Sequence, residues 1–294
     1  MFFPVDEMGT HRLRLLVALA LLALGRGEAW AAEARPRLAR LTAEVRYFYG
    51  RWQWGDFEMA PQAGMAGPQL RLEVLGGKVA AGAAYLSGDF AGVGATALDD
   101  ERFHSRKEFD LVDKREEYTL SLEYRPWQWA GAVAVWRLAR YDLEAEVELN
   151  SDQRRYGSGR EQAHNEARGL GVGLRPRVPL AGRLVLAGEG LYFPGLQGEA
   201  AGRYEYQVVY REEALDERWF GRTKVRGFSG WGEVAYELRA VPVTVAAGFF
   251  YQRLKSRQPP SAGWLEDYLR GQTGNRSWLQ DRFYGFTARA GFRF

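Results

Sequence analysis

Three histidines occur in 294 residues, and two of them have acids close by. Asp99-Asp100 precedes His104-Ser105, Asp142 lies further on, and His164 stands two residues before Glu166. An acid beside a histidine can orient it for general-base work, and a nearby serine or water then becomes a nucleophile. The chemistry would be hydrolysis or acyl transfer. Against it, Asp99, Asp100 and His104 share their stretch with Glu101, Arg102, Arg106 and Lys107, which reads as a solvated charge run in a loop. A His–Ser–acid trio is also undemanding in sequence. No catalytic residue is therefore expected. The chain has no cysteine, so thiol chemistry, thiolate metal sites and disulfides are excluded. No metal and no cofactor is expected. A net charge of +3 gives no reason to invoke nucleic acid.

The elements that would position any site show at the carboxy end. Tyr284, Phe286, Ala288, Ala290, Phe292 and Phe294 fall on one face of a period-two pattern. Gly285, Thr287, Arg289, Gly291 and Arg293 fall on the other. A strand that is apolar on one face and small or charged on the other suits a wall between lipid and a polar lumen. The ending resembles the last strand of Gram-negative outer-membrane β-barrels, with Arg289 where a glycine is often found. That resemblance implies that Phe292 and Phe294 form the signal read by the barrel assembly machinery.

The amino end agrees. His11, Arg12 and Arg14 precede the apolar run at 15–25, and Ala29-Trp30-Ala31 offers a small-x-small cleavage site. This reads as a secretory signal covering residues 1–31, with Met8 as an alternative start. The run is too short for a comfortable membrane helix, and nothing after it is long and apolar enough for one. A mature chain in a membrane must then be a closed barrel, because only closure satisfies the backbone in lipid. A mean hydropathy of −0.38 fits, since half of every barrel strand faces inward. So do 14% aromatic residues and 35 glycines. The expected location is the cell outer membrane.

Ten amphipathic strands are expected, at 38–54, 68–75, 78–90, 116–125, 129–149, 166–178, 183–193, 224–239, 243–255 and 281–294. The fourth is the clearest, with Tyr118, Leu120, Leu122 and Tyr124 set against Glu117, Thr119, Ser121, Glu123 and Arg125. The fifth is ambiguous. Its far half puts Tyr141, Leu143, Ala145, Val147 and Leu149 outward, but that register also sends Arg137 outward unless a bulge resets the faces. Short Gly- or Pro-bearing turns follow strands two, four, six and eight; long polar connections follow the odd ones. This is the pattern of short periplasmic turns and long outer loops. Tyr204 and Tyr206 alternate with Arg203 and Glu205, suggesting a hairpin arm above the membrane. Counted as wall, the arm and a partner would make twelve strands. The fold class is thus an all-β, antiparallel, up-and-down transmembrane barrel in one domain, residues 32–294.

Sorting residues by face sends Arg40, Glu44, Arg46, Arg71, Glu73, Glu123, Arg125, Arg175, Glu189, Glu233, Glu237, Arg289 and Arg293 inward. A ten-stranded barrel is narrow, so these side chains should meet as a salt-bridge network that fills the lumen. The other possibility is a narrow ion path of mixed charge. Arg154, Arg155 and Arg160 fall in the third long connection and suit lipopolysaccharide phosphate. Trp219, Phe220, Trp264, Tyr268 and Trp278 suit an external aromatic girdle. Ten strands is also the architecture of the omptin proteases, but none of their motifs surrounds His104 or His164. Lipid A deacylases, which use a His with a Ser and an acidic residue, are the other hydrolase alternative. The function expected is a non-enzymatic barrel: a narrow or plugged channel, or a structural or surface-binding envelope component with a protein partner of unknown kind. Amino-terminal sequencing of the membrane-extracted protein is expected to begin at Ala32; a mature chain that keeps residues 15–25 would contradict the secretory reading.

Overall fold

The computed structural model describes residues 39–54, 62–100, 103–151, 154–208, 213–238, 241–257 and 279–294. The segment 1–31, expected to be a secretory signal, lies outside them. Ten antiparallel strands close on themselves in sequence order: β1 (Ala39–Trp54), β2 (Gln62–Val74), β3 (Val79–Asp100), β4 (Phe103–Trp127), β5 (Ala130–Ser151), β6 (Arg154–Pro179), β7 (Leu184–Val208), β8 (Glu213–Glu237), β9 (Val243–Arg257) and β10 (Leu279–Arg293). The seam is β1 against β10, with Ala43 opposite Phe292 and Arg46 opposite Arg289. It runs to the last residue, where the Phe294 amide donates to the Leu41 carbonyl at 2.8 Å. Closure leaves no unpaired strand edge, which a sheet in hydrocarbon requires.

The short turns lie at one end. Between β2 and β3 a single 3₁₀ turn, Leu75–Gly77, carries positive φ at all three residues (53°, 66° and 85°). Two glycines make that backbone accessible at little cost. Gly182, at φ 63°, does the same between β6 and β7.

Outside the wall, Leu70, Leu120, Leu122, Leu170, Leu174, Phe249 and Phe286 are exposed side chains. In water so wide an apolar belt would be unstable; against lipid it is the binding surface. Aromatic residues mark both edges. Trp127 stacks on Trp129 at 5.7 Å beside the β4–β5 turn, and Phe228, Tyr251 and Tyr284 form a stacked row at the upper edge.

Several strands run far past that belt. β4 and β8 have 25 residues and β6 has 26. At about 3.3 Å per residue this is roughly 80 Å of strand, well over an apolar band of about 25 Å even when tilted. Three stretches expected as polar connections are therefore paired hairpins that continue the wall. The arm at Tyr204 is the upper part of β7, paired with β8, and the strand count stays at ten.

The faces of β5 correct the sequence expectation. The register with β4 is unbroken from Ala132 through Ser151, so no bulge resets it. Arg137 stays inward, and Leu143, Ala145, Val147 and Leu149 are buried inward with it, while Glu144, Glu146 and Glu148 are exposed. Above the belt the solvent outside is water, so the apolar face turns in and the acids turn out. A bulge does lie in β7, between Phe193 and Leu196. It lets both of these side chains face inward although they are three apart.

On β4, Leu122 is 59% exposed toward lipid, and Ser121 is its inward neighbour. Leu122→Arg is expected to cost roughly 2–4 kcal/mol near the midplane, and Ser121→Arg less. Refolding free energies in lipid vesicles measure both; equal losses would contradict the assigned faces.

Candidate functional site: the charged lumen

The inward faces of β1, β2, β4, β6, β7, β8 and β10 bring carboxylates and guanidiniums together in the lumen. Glu233 on β8 has no exposed side-chain surface. It accepts from Arg289 Nε on β10 at 2.7 Å and from Arg46 Nη2 on β1 at 3.3 Å. Arg289 also donates to Glu44 at 2.8 Å. Across the lumen Glu123 on β4 gathers three arginines: Arg125 at 2.6 Å, Arg71 at 2.7 Å and Arg175 at 2.8 Å. Arg175 reaches on to Glu189 through Nε at 3.0 Å, and Glu189 accepts from the Trp231 indole at 3.1 Å. Arg71 also meets Glu73 at 3.1 Å. At the lower rim Glu237 accepts from Arg293 at 2.7 Å and lies 3.5 Å from Arg177. All thirteen residues sorted inward take part in ion pairs, and most of the pairs join different strands.

Above this floor the lumen turns aromatic. Phe48, Phe250 and Phe283 pack edge to face at 4.4–4.9 Å, and Phe90 meets Phe283 at 5.0 Å and Trp52 at 5.5 Å. Gly171 makes room for Phe193; a Cβ there would sit 2.6 Å from its ring. Two further arginines are sealed in this layer. Arg137 pairs with Glu117 and donates to Gln252 at 2.9 Å. Arg115 donates to Asp113 at 2.7 Å and Asp281 at 3.1 Å, with Trp52, Phe90 and Tyr141 rings within 4.9 Å of its guanidinium carbon. Trp52 donates to Asp281 at 2.6 Å. Planar guanidinium groups suit this sandwiching, gaining cation–π contact while their edges meet carboxylates.

The Arg115 cluster was not singled out from sequence, although the signal exists. Phe48 and Trp52 share a face with Glu44 and Arg46 on β1, and Phe283 shares one with Arg289 on β10. The alternation that sends the charges inward sends these rings inward too.

The other candidates lie elsewhere. His164 Nδ1 is 2.5 Å from Asp142 Oδ1, but both side chains are exposed on the outer face of the β5–β6 pair. Asp99 is opposite His104 near the tip of the β3–β4 hairpin, so this segment is strand rather than loop; the side chains there lie outside the described residues. Arg154 and Arg155 open β6 opposite Ser151 and Asn150, again as strand, with their side chains likewise outside description. Arg160 is exposed and pairs with Glu144 at 3.0 Å. Trp219 is no girdle residue: it is buried beside Ala200 and Tyr204, while Phe220 is exposed. Trp264, Tyr268 and Trp278 lie outside the described residues. Phe292 and Phe294 contact each other at 4.7 Å beside the seam. Among the described residues, no group of three His, Asp or Glu side chains could hold a metal ion.

Removing one partner from a buried pair strands the other charge. Glu233→Ala is expected to destabilise the barrel by about 3–5 kcal/mol. Replacing Arg46 and Glu233 together by Met and Leu should cost less than the two single changes summed. A double-mutant cycle by urea titration in vesicles checks this; simple additivity would mean that the pair is not coupled.

No family model and no curated protein matches the sequence. Solved structures do. The outer membrane protease OmpT from Escherichia coli aligns at TM-score 0.50 and 11% identity, over 90% of this chain and 99% of that one. A major outer membrane protein from Thermus thermophilus aligns at TM-score 0.36 and 12% identity, over 87% and 99%. The P. putida toluene transporter TodX aligns at 0.34 and 10%, over 88% and 90%. At such identities the first of these speaks for fold alone. With an apolar belt outside, charge within and closure at the seam, the chain is a ten-stranded β-barrel of the Gram-negative outer membrane.

Proposed function

We propose that the protein is a non-enzymatic outer-membrane barrel with a closed lumen, serving as a structural and surface-presenting component of the envelope. The observation that carries this reading is the layering of the lumen. An ion-paired floor lies beneath packed aromatic rings, and buried apolar side chains such as Leu111, Val147 and Leu149 follow above. An ion crossing it would have to leave water at the aromatic layer, where the charged groups present, Arg115 with Asp113 and Asp281 and Arg137 with Glu117, are already taken up by one another. The tall hairpins of β3 to β8 are then the working surface, held above the membrane by a rigid stem.

The hydrolase alternative draws on the His164–Asp142 contact. That pair faces outward, away from any cleft that could exclude water or hold a scissile bond. Likeness of fold to a protease does not supply the site.

The outer surface fits the same reading. Just above the row of Phe228, Tyr251 and Tyr284, the outer face of β8, β9 and β10 carries cations directly opposite one another: Lys224 with Arg257, and Arg253 with Arg282. Like charges so placed repel, and lipopolysaccharide phosphate at that depth would relieve them. This wall is a stronger candidate than Arg160, whose guanidinium already meets Glu144. Phe292 and Phe294 fit engagement of the assembly machinery.

In planar bilayers the wild type is expected to conduct poorly, and Glu233→Ala or Arg175→Ala to leak. A large, steady wild-type current would reject the closed lumen in favour of a channel. Surface-proteolysis and lipid A deacylation assays are expected to read null.

A further inference from the structure

Between the ion-paired floor and the aromatic layer lies a cavity of about 250 Å³. Its wall has two characters. Phe48, Leu86, Val135, Leu191, Phe250 and Phe283 supply apolar surface, and guanidinium groups supply the rest. Among the described residues eight arginines line it. Seven glutamates are paired to them: Glu44, Glu73, Glu117, Glu189 and Glu237 on the wall, with Glu123 and Glu233 behind. Cations therefore outnumber anions around the chamber, the more so because half-exposed Arg40 lies 3.9 Å from Glu73.

Three of those arginines, Arg46, Arg125 and Arg137, bury an Nε without a hydrogen-bond partner, and the first and last are the most deeply buried. Arg46 is 3% exposed, and its guanidinium lies 3.9 Å over the Trp231 ring. Its Nε is buried without a hydrogen-bond partner. Arg137 is 6% exposed and engages Glu117 and Gln252 through a single terminal nitrogen; its Nε is also buried and unpartnered. A buried N–H of a charged group without an acceptor is costly. Both residues line the same cavity. Its lower rim, Arg177, Glu237 and Arg293, is partly exposed at the turn end, which gives a route in from the periplasmic side.

We infer that this chamber is a binding site for a small organic monoanion, a carboxylate on a compact apolar body. A negative charge reduces this excess of cation. A carboxylate has the acceptors that the two Nε–H groups need, in the geometry that guanidinium favours. Inorganic anions would match the charge but leave the aromatic wall unused. The volume is at the small end for ligand pockets, so a single ring or a short acyl chain is the size that fits. The inference concerns the chamber alone and stands whether or not the barrel conducts.

The test is calorimetric titration of the folded full chain with benzoate and with hexanoate, beside benzyl alcohol as a neutral isostere. At least one of the two carboxylates should bind saturably at one site. Benzyl alcohol should bind at least about tenfold more weakly, the worth of one charge-assisted hydrogen bond. Ala84→Phe, which fills the cavity and removes no charge, should abolish binding. Arg46→Lys, which keeps the charge but loses the Nε–H and the stacking, should weaken it by about tenfold. Failure of both carboxylates to bind correctly folded protein, or equal binding of benzyl alcohol, would overturn the inference. So would carboxylate binding that survives Ala84→Phe unchanged, since the ligand would then sit elsewhere. Conductance is measured separately, so failure here and failure of the closed-lumen reading are told apart.

Discussion

An arginine inside a narrow barrel must find a carboxylate, and in this chain that carboxylate nearly always belongs to another strand. Charge transferred from water without a partner costs several kcal/mol, so the pairing is an obligation rather than an ornament. Glu233 illustrates its reach. Its two oxygens tie β8 to β1 and β10, which are adjacent at the seam but 187 and 56 residues away in sequence. Glu123 ties β4 to β2 and β6 in the same way. Register follows from this. A slip of one residue in any of these strands would carry its charges into lipid and its leucines into the lumen.

The same obligation explains why the lumen is layered rather than uniformly polar. Where strands pass through the membrane, the outer face must be apolar and the inner face takes the charge. Above it, water lies outside and the requirement reverses. On β5, Ala132, Ala134 and Trp136 face lipid below while Arg137 faces in; further up, Glu144, Glu146 and Glu148 face water while Val147 and Leu149 face in. No bulge intervenes on β5. One strand of constant register serves two solvents, and its interior changes from ionic to apolar along its length.

This is also why some features were legible in the sequence and others were not. The alternation of Tyr118, Leu120, Leu122 and Tyr124 against charge defines a membrane strand directly, and so does the closing pattern through Phe294. The inward charges followed once each face was assigned. The upper half of β5 inverts the expected faces because an apolar face means lipid only within the belt. The hairpin extensions were read as connections because polar residues on both sides of a strand look like loop. The alanine- and glycine-rich β3 gave no face at all, since small side chains carry no amphipathic signal. The aromatic layer was overlooked for the converse reason: Phe48, Trp52 and Phe283 are inward by parity, yet rings are expected at interfaces. Which inward charges pair could not be known without the barrel's stagger.

The central claim is that the packed aromatic layer seals the lumen above an ion-paired chamber open at the turn end. The chain contains no cysteine, so single thiols can be placed at will. Ser229 lines the chamber beneath the rings. In Ser229→Cys, a membrane-impermeant thiol reagent should label the protein when supplied from the periplasmic side and leave it unlabelled when supplied outside intact cells. Rapid labelling from the outside would show a path through the aromatic layer and contradict the account.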